Sequence, residues 1–416
     1  MIKTGRDSIT LMPYIAILAV CFVINLPGIV ITPMEGKLKE LLHASELEVQ
    51  LLTVLPNFVI IPFVLLTGKL SLCRHKLPWI IGALCLYLGC GIAYLFVETI
   101  PGLIVVSCLL GCANGILIPF SMGFVVNTFY GKFRTRQLGI KSATSNLSVV
   151  IGSFVVGALM KGDNWHLPFV VYLAVLLPIV FCFWLKYVPG VGARSPISRE
   201  EVKSTSVSPG KTFDVKGIWA LIGNNVSFSF ITMAIVIFIP QMIQTLGWKP
   251  ELAGEIVSVF FIAVLLAGFV LLPFVKLMKQ YTFFGISLLT LAGLALITFL
   301  HEEWAMFAGS ICGGIAFGFF QPFIYDKTSY TVRDGSKTII ALSFVLAALY
   351  TAIALEPFVI SAICHIFKIK SENIFVFRLS FFMAIAYSAA TLLWRRKFAF
   401  SVEKAYLSEP DKPIEM

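Results

Sequence analysis

Apolar residues run along this chain in long blocks, with little period-two alternation, separated by short polar stretches. A run of about 18 or more apolar residues crosses a hydrocarbon core about 30 Å thick at 1.5 Å per residue. Twelve such runs are read, over residues 11–33, 48–70, 78–97, 101–127, 139–160, 166–188, 215–240, 252–275, 281–300, 303–326, 338–362 and 374–395. They are too long for membrane strands, and helices are the economical way to satisfy their backbone in lipid. The pattern predicts an all-α membrane protein of twelve transmembrane helices. The first run shows no small-residue cleavage site, so it reads as a retained helix and not a signal peptide.

The longest polar stretch, 189–213, holds Pro189, Gly190, Gly192, Pro196 and several serines, and cannot bury enough apolar surface to fold alone. It reads as a cytoplasmic linker between an N-terminal six-helix bundle, residues 1–188, and a C-terminal one, 214–397, with a tail at 398–416. The halves also echo each other. Ser107, Gly111, Gly115 and Pro119-Phe120 in the fourth run recur in register as Ser310, Gly314, Gly318 and Pro322-Phe323 in the tenth. Glycine spacing alone only allows helices to approach closely, but the shared register argues for an internal duplication, the construction of transporters with a central site between repeats.

Composition agrees with the pattern. The 416 residues are 58% hydrophobic and 13% charged, and a mean hydropathy of +0.91 excludes a soluble enzyme. Nine Cys lie mostly inside apolar runs, without zinc or disulfide spacing, and read as small buried hydrophobes. Five His sit near loops without metal-ligand spacing, and no phosphate-cradling glycine loop is present. No cofactor, no metal and no enzymatic activity are expected.

Gly68-Lys-Leu-Ser-Leu-Cys-Arg74-His-Lys76, between the second and third runs, resembles the loop signature Gly-x-Leu-Ala-Asp-Arg-x-Gly-Arg-Arg of the major facilitator superfamily. Trp165-His166-Leu-Pro-Phe169 resembles that family's Trp-Arg-x-x-Phe lead-in to the sixth helix. Together with the six-plus-six pattern, the resemblance covers essentially all twelve runs. It implies two six-helix bundles that rock about a central site by alternating access, with Gly68, Arg74 and Lys76 in a loop that latches one conformation. Leu72 stands where the family places the latching Asp, which puts the usual latch in doubt. The fifth run lacks the Gly-Pro signature of family antiporters, and the fourth lacks its usual midmembrane Arg.

Polar groups inside membrane helices are costly unless they meet partners or water, which makes them candidates for the transport path. Asn25, Asn114 and Asn225 fall near midmembrane in helices that the resemblance assigns to the cavity. Asn146, Gln321 and Tyr325 are further candidate substrate contacts, the last two one helical turn apart. Each reads equally as an interhelical hydrogen bond worth about 0.6–2 kcal/mol. Asn57, between Pro56 and Pro62, reads as a lining residue of a broken or bent segment, or as a cap for that bend. Asn224 and Asn225 point to different faces, so one of them faces inward. Glu356 and Arg378 lie roughly 9 Å and 6 Å inside the outer boundary, depths that suit an ion pair. The pair is either structural or the place where a carboxyl exchanges a proton.

Thirty-seven Phe with neutral amides and few fixed charges favour a lipophilic or amphipathic solute. The leading expectation is therefore proton-coupled efflux, as in the drug-efflux branch the chain resembles. The alternative is a proton symporter or facilitator importing a neutral or weakly charged nutrient. From another class comes a non-transporting sensor or lipid-handling scaffold. Partners are a small-molecule substrate, a proton and membrane lipid, for a monomer. The net charge of +10 would suggest nucleic acid in a soluble protein, but Lys and Arg concentrate in alternate short loops. This is the positive-inside signal, placing both termini in the cytoplasm and the protein in the inner membrane.

Overall fold

The computed structural model describes residues 2–4, 8–28, 30–31, 34, 38, 41–42, 46–73, 75–160, 164–188, 191, 212–249, 251–333, 337–369 and 372–401. A short antiparallel pairing of Ile2 with Ile9 and Lys3 with Ser8 precedes the helices. These are α1 Leu11–Val23, α2 Glu46–Leu70, α3 Leu77–Ala93, α4 Ile100–Thr128, α5 Gly131–Leu159 and α6 Leu167–Tyr187. After the segment 192–211, which lies outside the described residues, come α7 Val215–Thr245, α8 Glu251–Met278, α9 Thr282–Phe299, α10 Glu303–Ser329, α11 Thr338–Ile366 and α12 Glu372–Leu393. Eight stretches among the described residues are long and apolar enough to cross a membrane. One of them, Leu252–Phe299, holds both α8 and α9, and α1, part of α2 and α3 are shorter apolar helices. The chain turns between α8 and α9 at Lys279, whose φ of 48° is left-handed.

Apolar side chains point both ways, as a membrane bundle requires. Phe120, Phe124, Phe228, Phe260 and Phe283 are buried between helices, whereas Phe96, Phe154, Phe183, Phe269 and Phe382 are exposed on the outside. Trp79, Tyr187, Trp219 and Trp394 are exposed near helix ends, where amphipathic rings suit a membrane interface. The cysteines divide likewise: Cys21, Cys90 and Cys364 are buried, but Cys73 and Cys85 are exposed, so the expectation of uniform burial holds only in part.

The repeated glycines have one structural job. A Cβ on Gly111 would stand 2.7 Å from the Pro56 carbonyl oxygen, and one on Gly115 would stand 2.6 Å from the Phe63 Cβ, so α4 lies directly on α2. A Cβ on Gly318 would meet Ala267 at 2.7 Å and the Val264 oxygen at 2.8 Å, and Gly314 abuts Phe260, so α10 lies on α8 in the same manner. The sequence repeat is thus a repeat of helix packing.

Three departures from the sequence reading stand out. α5 begins at Gly131, a full two turns before the apolar run, because polar residues there are buried by neighbouring helices. α2 continues as helix through Pro56 and Pro62, so no break forms at Asn57. The break falls in the first helix, where α1 ends and the chain turns at Ile24 and Asn25 before Pro27.

Candidate functional site

The break in α1 frees carbonyls that lipid cannot satisfy. Three helices supply donors. The Tyr87 hydroxyl of α3 donates to the Val23 oxygen at 3.2 Å, the Asn114 amide of α4 to Ile24 at 2.8 Å, and the Tyr172 hydroxyl of α6 to Pro27 at 2.8 Å. Tyr87 and Tyr172 meet edge to face at 6.3 Å, and Tyr94 stacks on Phe169 at 4.6 Å, fixing this scaffold. Asn25 is half-buried in the turn itself and not in a continuous helix, a correction that follows from Pro27, which disfavours helical backbone at Leu26 and has no N–H to continue the helix. The Asn114 Oδ1 is buried without a hydrogen-bond partner.

The second polar cluster lies in the C-terminal half. The Gln321 Nε2 of α10 donates to the Asn225 Oδ1 of α7 at 3.1 Å and to the Ser229 Oγ at 3.2 Å, while the Asn225 Nδ2 donates to the Val345 oxygen of α11 at 3.3 Å. The Gln321 Oε1 is buried with no partner. Tyr325, one turn along, is buried beside Tyr350 of α11. Asn224 turns away, giving its amide to the Ala399 oxygen at 2.8 Å and receiving the Tyr387 hydroxyl. Of the two adjacent asparagines, Asn225 faces the cluster.

Among the described residues, Asn146, Glu356 and Arg378 make no hydrogen bond or ion pair with either cluster. Asn146 is buried but donates to Ser142 of its own helix at 2.7 Å. Asn57 is half-buried on α2. Glu356 and Arg378 do not pair: Glu356 is fully buried and neither of its oxygens has a hydrogen-bond partner, whereas Arg378 is exposed. Similar depth put the two at one level, but rotation about each helix axis set them on different faces, which counting residues does not reveal.

Charge does join the halves elsewhere. Arg134, near the start of α5, donates to the Ser329 Oγ at the end of α10 at 2.7 Å and to the Phe129 oxygen at 2.8 Å. Its guanidinium lies 3.9 Å from Asp326, with Tyr130 and Tyr330 flanking it at 5.5 and 5.8 Å. Both charged side chains are buried. At the same end Gly139 of α5 and Gly268 of α8 press backbone to backbone, Gly68 of α2 lies on Ser343, and Gly123 of α4 lies on Ile339 of α11. Of the loop signature, Gly68 takes part in this seam, Arg74 lies outside the described residues, and Leu72 is exposed. Burial lowers the half-buried Lys76 ammonium below the ordinary lysine value, with Cys73 acting the other way. Arg134 and Asp326 were not singled out in the sequence because each sits at a helix end, where charge is ordinary. Among the described residues no group of His, Cys, Asp and Glu could hold a metal ion.

A membrane bundle with repeated helix packing and two interior amide clusters is the architecture of a solute transporter. The sequence profile of the Major Facilitator Superfamily matches residues 14–354, and the chain belongs to that family. It is a multi-pass transporter working by alternating access, and not an enzyme. No curated protein matches it. Among solved structures it is similar to the proton:xylose symporter XylE bound to 6-bromo-6-deoxy-D-glucose, at 12% identity and TM-score 0.67, covering 92% of this chain and 95% of that one. It is similar to FucP in the outward conformation at 11% identity and TM-score 0.67, covering 92% and 97%. A double tryptophan mutant of XylE matches at 13% identity and TM-score 0.76, covering 93% and 95%.

Proposed function

We propose that this protein is a symporter or facilitator that imports a small polar nutrient, neutral or weakly charged, through the axis between residues 1–188 and 214–397. The observation that carries this reading is the Asn225–Ser229–Gln321 cluster, whose buried Gln321 oxygen has no partner and can be satisfied by a donor on a polar solute. The break in α1, with the spare Asn114 oxygen, offers a second acceptor in the other half of the chain; discontinuous helices suit solute sites in transporters. The similar fold of a proton:xylose symporter accords with the same reading.

The efflux expectation rested on phenylalanines. Those named above are either packed between helices or exposed on the outside, so they give no support to a lipophilic cavity. The seam at Arg134 and Gly139 is read as the cytoplasmic gate, because the neighbouring loops carry the excess of Lys and Arg; the conformation then faces outward in an inner membrane. Glu356 is the group through which a proton is coupled, since a carboxyl without a counter-charge must gain or lose its proton when water reaches it.

Counterflow in proteoliposomes across a panel of sugars, sugar acids and small hydroxy acids tests this reading. Exchange of a polar solute, accelerated by a proton gradient directed into the vesicle interior, is the expected result. Outward pumping of lipophilic dyes with no polar solute exchanged would refute it.

A further inference from the structure

Because α5 starts at Gly131, Lys141 lies ten residues into a helix, about 15 Å along its axis, and is not a loop charge. Its side chain is only 6% exposed. Seven residues beyond Arg134, it shares the face that Arg134 turns toward α10. Around it lie Cys21 of α1 and Gln137, one turn earlier, whose oxygen accepts the Tyr14 hydroxyl at 2.8 Å. None of these groups carries a compensating charge. Among the described residues no carboxylate and no hydrogen-bond acceptor is paired with the Lys141 ammonium.

Register across the seam sets what faces this level. Arg134 meets Asp326 and Ser329 of the antiparallel α10. About two turns farther along α5 is therefore level with about two turns back along α10, where Gln321 holds its unpartnered oxygen. One half contributes a lone cation and the other a neutral amide cluster, both next inward from the closed seam.

We propose that Lys141 is the counter-charge for an acidic group on the transported solute, making the substrate a small polar monocarboxylate. Its carboxylate sits on Lys141, and its hydroxyl groups face Gln321 and Asn225. The proposal rests on the transporter reading above and narrows its substrate class. An ammonium buried without counter-charge is costly, and a bound anion removes that cost when the seam closes. One cation matches one negative charge, which distinguishes this site from the clamps of several Arg or Lys that bind multiply charged anions.

The test uses the full chain purified in detergent as wild type, Lys141→Met and Lys141→Arg. Thermal unfolding is followed alone and with lactate, gluconate or glucuronate, and with the uncharged lactamide and glucose. Without solute, Lys141→Met is expected to unfold at a higher temperature than wild type, since the lone charge is gone. At least one acid should stabilise wild type and Lys141→Arg, with affinity weakened roughly tenfold to hundredfold in Lys141→Met. The proposal is overturned if no acid stabilises wild type, if Lys141→Met responds to the acids as wild type does, or if the substitution lowers the solute-free midpoint as loss of a structural lysine would. Counterflow of glucose by wild type and Lys141→Met alike would leave the transporter reading standing and remove this one. No exchange of any acid or sugar by wild type would remove the transporter reading itself.

Discussion

The bundle buries charge in two different ways. At the seam, Arg134 stands 3.9 Å from Asp326, and a serine, a backbone carbonyl and two tyrosine rings surround the guanidinium. In α11, Glu356 is fully buried, about 27 Å along the helix from the seam end, and neither of its oxygens has a hydrogen-bond partner. The pair spans two halves of the chain, so it exists only while those halves are together and its energy weights one conformation. The lone carboxyl has no such contact to lose. What it can do at low cost is exchange a proton. The paired charge is thus tied to one conformation, whereas the unpaired carboxyl is the group to which the proposed coupling is assigned.

The sharpest way to break the comparison is Glu356→Gln, which keeps shape and removes the titratable group. Accumulation driven by a proton gradient in proteoliposomes should vanish while gradient-free counterflow persists; unchanged accumulation would end the coupling role. Next in size, Arg134→Ala takes the guanidinium away from the buried Asp326 and should cost the closed seam about 3 kcal/mol, roughly a hundredfold in population. Spin labels placed across α5 and α10 should report a longer distance distribution. A Asp326→Asn change alone should do nearly as much, and the double variant little more than either, if the two act as one pair. Gly139→Val acts at the same seam without touching charge: its side chain meets the Gly268 backbone, so the same labels should separate.

Smaller effects are expected at the polar clusters. Asn225→Ala removes two partners of the amide cluster and should weaken solute affinity roughly tenfold, the scale of one buried hydrogen bond left unmade, read by isothermal titration. Tyr172→Phe deletes only the hydroxyl that meets the Pro27 oxygen. It should lower thermal stability by about 1 kcal/mol and leave transport near wild type; a complete loss of transport would show that the α1 break is functionally rigid.

Much of the fold was legible in the chain. Long apolar runs dictated helices, and most ends agree within a few residues. The duplicated glycines marked two close helix pairs, one in each half, because only a residue without a Cβ lets one backbone approach another to this degree. Trp165 stacks on His166, which meets the Val97 oxygen at 3.2 Å, so the motif that carried the family resemblance is also a packed corner. The break in α1 was signalled by Pro27 but passed unread inside an unbroken apolar run. Lys141 was hidden for a different reason: it fell at the very start of the fifth run, where a lysine is ordinary, and the two helical turns before that run, from Gly131, are polar and were not read as helix, since hydropathy measures contact with lipid and not burial by other helices.

What the sequence determined by itself is the membrane, the helices and their repeat, because these follow from local apolarity, backbone hydrogen bonding and the steric size of glycine. Only the tertiary structure decided which polar groups meet. It put Gln321 against Asn225, separated Glu356 from Arg378, joined Arg134 to Asp326 and left Lys141 alone. Depth along a helix is fixed by counting residues, but the rotation of each helix about its axis is set by packing against its neighbours. A pair of charges is made or missed by that rotation.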